Sequence, residues 1–150
     1  MNKFTLLIFL LPTLAFSCPT ISGTYPHCHS EIKQMKGEYD VNQYSDNGTE
    51  IYTIKYTDDE GNVQEDQFKT DGKQVKRKQN IPTINIKVTV EGSATCDGDK
   101  LVSIGKAYFL GANVGKYNTT IYKENNVLTM KIAAEYLGKS VDKLIQCTEK

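Results

Sequence analysis

The chain has no tryptophan, only two histidines, and no long apolar run beyond its first seventeen residues. A helix that crosses a bilayer needs about 20 consecutive apolar residues, so nothing after the leader predicts a membrane span. Both imidazoles fall in "PHCHS" (26–30), so any catalytic Ser–His pair or multi-histidine metal set must draw on that one stretch. There is no Gly-x-Ser-x-Gly and no glycine-rich phosphate loop, so no cofactor is called for and an enzyme is the disfavoured class. Excess charge is lacking too: Lys plus Arg number 18 against 18 for Asp plus Glu, without the electrostatic footprint of a nucleic-acid binder.

What is present begins with a leader. Lys3 precedes the apolar "FTLLIFLLPTLAF", and Ala15 and Ser17 are small residues at −3 and −1 of a cut before Cys18. Residues 1–17 therefore read as a signal peptide and 18–150 as one exported domain, periplasmic or extracellular. Losing the leader removes one lysine and no acid, leaving a net charge of −1. A lipid anchor on Cys18 is the rival reading, but Ala15 and bulky Phe16 in "AFSC" suit ordinary cleavage better.

Four cysteines remain: Cys18, Cys28, Cys96 and Cys147. An even count in an exported domain predicts two disulfides, with three possible connectivities. "TISGTYPH" reads as extended chain, which would hold Cys18 and Cys28 roughly 30 Å apart. Bridged Cα atoms lie within about 7 Å, so pairings that tie the N-terminal strand to distant segments are favoured.

Alternation with a period of two dominates the rest. "INIKVTVE" puts Ile84, Ile86, Val88 and Val90 on one face. "LTMKIAAEY" does so with Leu128, Met130, Ile132 and Ala134, and "EIYTIKYT" with Tyr52, Ile54 and Tyr56. Val102, Ile104, Tyr108 and Leu110 repeat the pattern. "SDNGT", "DDEGN", "KTDGK", "CDGDK" and "KENNV" supply turns between them, with Asn-Gly and Asp-Gly suited to positive φ. The rhythm predicts an all-β antiparallel meander barrel of about eight to ten strands. At 140–147 a closing strand that shares a face among Val141, Ile145 and Cys147 is preferred to a short helix capped by Ser140. The acidic 58–66 and basic 73–79 segments, placed on adjacent strands, would pair their charges across the ladder.

Candidate chemistry is sparse. On a strand His27 and His29 face one side and Cys28 the other, so the three cannot share one ion; surface imidazoles beside a disulfide are expected, and no metal site. The acidic turns lack the twelve-residue calcium loop with its closing glutamate. The nine tyrosines are the feature to weigh. Tyr25, Tyr52, Tyr56, Tyr108 and Tyr122 fall in candidate strands, and an apolar ring with a polar tip suits both core edges and ligand walls.

"SGTY" (22–25), which opens the meander, resembles the Gly-x-Trp start of the lipocalins and related calycins, with Tyr25 where their tryptophan stands and Gly23 two residues before. The resemblance implies a barrel that holds a small apolar or amphipathic ligand, with the five tyrosines as candidate lining. "TCDGDKLVSI" (95–104) resembles a strand entry in periplasmic lysozyme inhibitors, which implies instead a filled barrel that meets a protein partner through loops such as "KTDGKQVKRK" or "LGANVGKY".

Overall fold

The computed structural model describes residues 18–31, 36–81 and 86–150, without the side chains of residues 80 and 81. The leader and Ile84 lie outside the described residues. The fold is all-β. Eleven strands are described, β1 (Gly23–Tyr25), β2 (His27–Ser30), β3 (Gly37–Asp46), β4 (Thr49–Asp58), β5 (Val63–Lys69), β6 (Val75–Ile81), β7 (Ile86–Asp97), β8 (Lys100–Phe109), β9 (Ala112–Glu124), β10 (Val127–Tyr136) and β11 (Lys139–Thr148). The expected eight to ten become eleven partly because Pro26 divides the first strand in two. Its ring supplies no N–H to a ladder, so pairing stops there.

The strands form two antiparallel sheets rather than one continuous ring: a small sheet in the order β1-β3-β4-β5 and a large one in the order β2-β11-β10-β9-β8-β7-β6. The chain passes from the small sheet to the large one across Pro26, and β11, a strand and not a helix, lies beside β2. A backbone bond from Lys150 N–H to Thr24 O (3.0 Å) ties the C-terminus to β1. On the opposite flank Gly72 N–H donates to Ala94 O (3.1 Å), and Arg77 donates to Gln67 O (3.2 Å) and pairs with Asp66 at 3.7 Å. The acidic and basic segments therefore meet, but through side chains across the gap between sheets and not across a ladder.

Each sheet contributes its inward face to one core. Tyr25, Tyr39, Val41, Tyr52 and Ile54 come from the small sheet, and Leu101, Ile121, Leu128, Met130 and Ile145 from the large. Burial of each aliphatic side chain contributes about 1.5–3 kcal/mol. Val88 and Val90 are buried as expected, while Ile86 and Ile132 are half-buried.

The face assigned to β8 requires correction. Leu101 and Ser103 point inward, whereas Ile104 is 51 % exposed and Leu110 92 %. The pairing of Leu101 with Cys96 on one side and Ile121 on the other sets the phase of the strand, and "LVSI" is apolar enough on both faces to conceal it. A bulge at Ala107/Tyr108 shifts the register further on, and Leu110 is a turn residue rather than part of the strand.

Both disulfides are long-range, and no free cysteine remains. Cys18 is bonded to Cys96 across 78 residues and Cys28 to Cys147 across 119. The Cys18 sulfur is thus bonded to Cys96. Two such bonds are consistent with an oxidising compartment. Cys28 and Cys147 stand directly opposite each other in the β2–β11 ladder. Replacing both by alanine should lower unfolding stability by about 2–5 kcal/mol. Urea titration under oxidising conditions measures it; an unchanged midpoint would mean that the ladder holds β2 unaided.

Candidate functional site

The five tyrosines do not converge. Tyr25 and Tyr52 are fully buried between the sheets. The Tyr25 hydroxyl donates to Ile21 O and that of Tyr52 to Pro19 O, both at 2.7 Å, so these rings clamp the segment that follows Cys18. Tyr56 packs on Tyr39 with ring centroids 4.8 Å apart, and the buried Tyr39 hydroxyl has no hydrogen-bond partner among the described residues. Tyr122 lies on the outer face of β9 with the Lys100 and Lys131 ammonium groups 5.8 and 5.6 Å from its ring centre. Tyr108, half-buried, lines an open groove on that same outer face.

The groove encloses about 710 Å³. The antiparallel register explains its walls. Glu91, Lys106, Lys116, Glu135 and Ser140 are successive partners across β7 to β11 and form one outward row. Ile104, Asn118, Ala133 and Asp142 form the next. Between the rows the floor includes Gly105 and Ala134. Tyr117 lies on the inward side of the same sheet with its ring over Gly105 and its hydroxyl against Gly92, so a Cβ on Gly105 would stand 2.7 Å from the ring and a Cβ on Gly92 would overlap the hydroxyl. Absent side chains on one strand pair thus let an aromatic ring lie flat against the backbone.

Charge in the groove is partly paired. Lys116 Nζ meets Glu135 Oε2 at 2.8 Å, and this hydrogen bond, reinforced by the carboxylate's charge, raises the Lys116 pKa. Lys76 pairs with Glu91 at 3.7 Å from the β6 edge. Among the described residues Lys106 and Asp142 form no ion pair. These two, with exposed Ile104 and half-buried Tyr108, give the groove one unpaired cation, one unpaired anion and two apolar contacts.

His27 and His29 are exposed on the outer face of β2, while the Cys28 sulfur is bonded to Cys147. Asp58 serves its own turn: its carboxylate accepts from the N–H groups of Glu60 (2.9 Å) and Asn62 (2.8 Å). Hydrogen bonding by the Asn62 side chain, chiefly, lowers its pKa. No group of three or more His, Cys, Asp or Glu side chains placed to hold a metal ion occurs among the described residues. The chain matches no protein-family model and no curated protein.

Two measurements follow from this geometry. Gly105→Ala must displace both the backbone carbonyl of Glu91 and the Tyr117 ring, and should destabilise by about 1–3 kcal/mol; a thermal midpoint equal to that of the parent would mean that strand and ring give way together without loss. The second is alkaline unfolding. Burial first, and the nearby carboxylates of Glu149 and Glu50 second, push the phenols of Tyr25 and Tyr52 up to about 12. The unfolded chain ionises them near 10, so their stabilisation is complete below about pH 10 and is lost as pH rises through about 12. Tyrosinate absorbance should show a set of phenols that ionise only as the strand circular dichroism disappears; smooth ionisation of every tyrosine with the sheets intact would contradict the buried placement.

Proposed function

We propose that the chain is an exported, non-enzymatic binding protein that holds a small amphipathic ligand in the groove on the outer face of the large sheet. The observation that carries this reading is the groove itself: about 710 Å³, with exposed Ile104 and half-buried Tyr108 beside an unpaired Lys106. Pockets for small organic ligands have about 300–1,000 Å³, mostly apolar contact and a few convergent polar groups. In this reading the ligand's apolar part covers Ile104 and Tyr108, and an anionic head meets Lys106.

The space between the sheets is the other place for a ligand, and the one implied by the calycin resemblance. Tyr25, Tyr52, Leu101 and Leu128 are fully buried there against one another's sheets, which favours the groove. The barrel enters the proposal as an incompletely hydrogen-bonded one, its two seams bridged by Lys150–Thr24 on one flank and by Gly72–Ala94 with Arg77–Asp66 on the other. Two disulfides support export, with residues 1–17 as the leader.

Native mass spectrometry of protein purified from its own host should reveal a co-purifying amphiphile. Titration with a series of saturated alkyl carboxylates should show affinity that rises with chain length and falls about tenfold, or about 1.4 kcal/mol, in Lys106→Glu. Retention of full affinity in both Lys106→Glu and Ile104→Asp would remove the groove from consideration.

A further inference from the structure

The two turns at one end of the large sheet are built alike. β8 passes to β9 through Leu110-Gly111, β10 to β11 through Leu137-Gly138, and an aromatic residue, Phe109 or Tyr136, precedes each. Leu110 has φ 49° and Leu137 φ 47°. This left-handed region costs an ordinary L-residue roughly 1–2 kcal/mol, and bulky side chains seldom adopt it. Elsewhere the chain places asparagine in such positions, at Asn47 and at Asn125 and Asn126. The leucines recover nothing from burial, since Leu110 is 92 % exposed and Leu137 70 %. Strained positions that no local packing repays point to a role outside the fold.

The turns are neighbours. Leu137 N–H donates to Val114 O at 3.1 Å, and Tyr136 stands opposite Gly115. Behind the leucines come Phe109, 38 % exposed, and the half-buried Tyr108 and Tyr136. Exposed Lys139 stands directly opposite Tyr136, and exposed Lys106 and Lys116 come behind the rings. Two carboxylates flank these lysines and each already has a cation: Glu135 is bonded to Lys116, and Glu91, opposite Lys106 in the β7–β8 ladder, pairs with Lys76. Leucine, aromatic and lysine thus succeed one another along the strand axis over about five residues, roughly 17 Å. A bilayer surface presents the matching order of acyl chains, interfacial headgroups that favour aromatic rings, and anionic phosphates that attract lysine.

We propose that this end of the large sheet docks on the surface of an anionic phospholipid bilayer, with Leu110 and Leu137 entering the acyl boundary. The contact proposed is a peripheral one, made by the side chains of the two turns; no helix of the described residues is long and apolar enough to cross a membrane. It rests on the turn residues and stands or falls apart from the groove reading.

The test is co-sedimentation of the oxidised protein with vesicles of phosphatidylcholine, with and without phosphatidylglycerol. Binding should require phosphatidylglycerol, weaken with added salt, and fall about tenfold or more in L110N/L137N. Asparagine suits the left-handed region, so that variant should keep or raise the thermal midpoint, which separates lost docking from lost folding. K139Q, which leaves the groove untouched, should weaken binding while the leucines remain. Parent protein left in the supernatant with both vesicle types overturns the proposal, as does undiminished sedimentation of the asparagine variant. Vesicle-independent capture of a soluble protein, lost in the same variant, would replace the bilayer by a protein partner and equally overturn it.

Discussion

The fold depends on how the chain crosses from one sheet to the other at Pro26. Two residues later Cys28 is joined to Cys147 on the facing strand, so the crossing is fixed covalently to the last strand of the chain. In the chain-entropy view, closing a loop of about 100 residues removes some 4–5 kcal/mol of freedom from the unfolded state. That is a large share of the stability of a domain of this size. Without it β2, only four residues long, would have a short edge ladder to hold the small sheet against the large one. Cys18–Cys96 repeats the device on the residues just before β1.

The tyrosines complete what the disulfides begin. A core without tryptophan needs large rings from another source, and tyrosine brings a hydroxyl that must find a partner when buried. Tyr25 and Tyr52 find theirs on the carbonyls of Ile21 and Pro19, so the irregular segment from Cys18 to Ile21 is anchored by a disulfide at its start and two phenols along its length. Tyr39 goes the opposite way: its hydroxyl is buried without a partner among the described residues, and desolvation, followed by the nearby Tyr56, raises its pKa. The Tyr39–Tyr56 ring contact offsets part of that loss.

The sequence made the strand class plain because period-two alternation is a local property, and the turns at Asn47-Gly48 and Asn125-Asn126 announced themselves by residue type. Long-range disulfide pairing was foreseeable in kind, since an extended "TISGTYPH" disfavours a Cys18–Cys28 bond. The phase of β8 was not legible: Leu101, Val102 and Ile104 are all apolar, and only the partners across the ladder decide which face is inside. The groove escaped for the same reason. Its rows are assembled from five strands in register, and no window of sequence contains more than two of them. The aromatic-Leu-Gly turns carried a signal, a repeated tripeptide at a hairpin position that asparagine usually fills, but leucine there reads as the end of a strand until its φ is known.

The two ends of the large sheet are asymmetric in a way that makes strain tolerable at one of them. Near β2 the inward residues Leu101, Ile121, Leu128 and Ile145 are buried almost completely, and they fix the register of β8 to β11. Ten residue pairs then link β10 to β11 and ten link β10 to β9, carrying that register out to Tyr136 beyond the reach of the core. A turn at the far end of so long a ladder has little choice of conformation, because a shift by one residue would reverse every buried side chain. Leucine can therefore be held in the left-handed region by pairing alone, and its side chain is free to face whatever lies beyond the sheet. Along the same extension the inward residues Ile132, Ala134 and Tyr136 are only half-buried, and the outer face opens into the groove beside Lys106 and Tyr108. Packing at one end is thus the physical condition for an exposed, strained and accessible surface at the other.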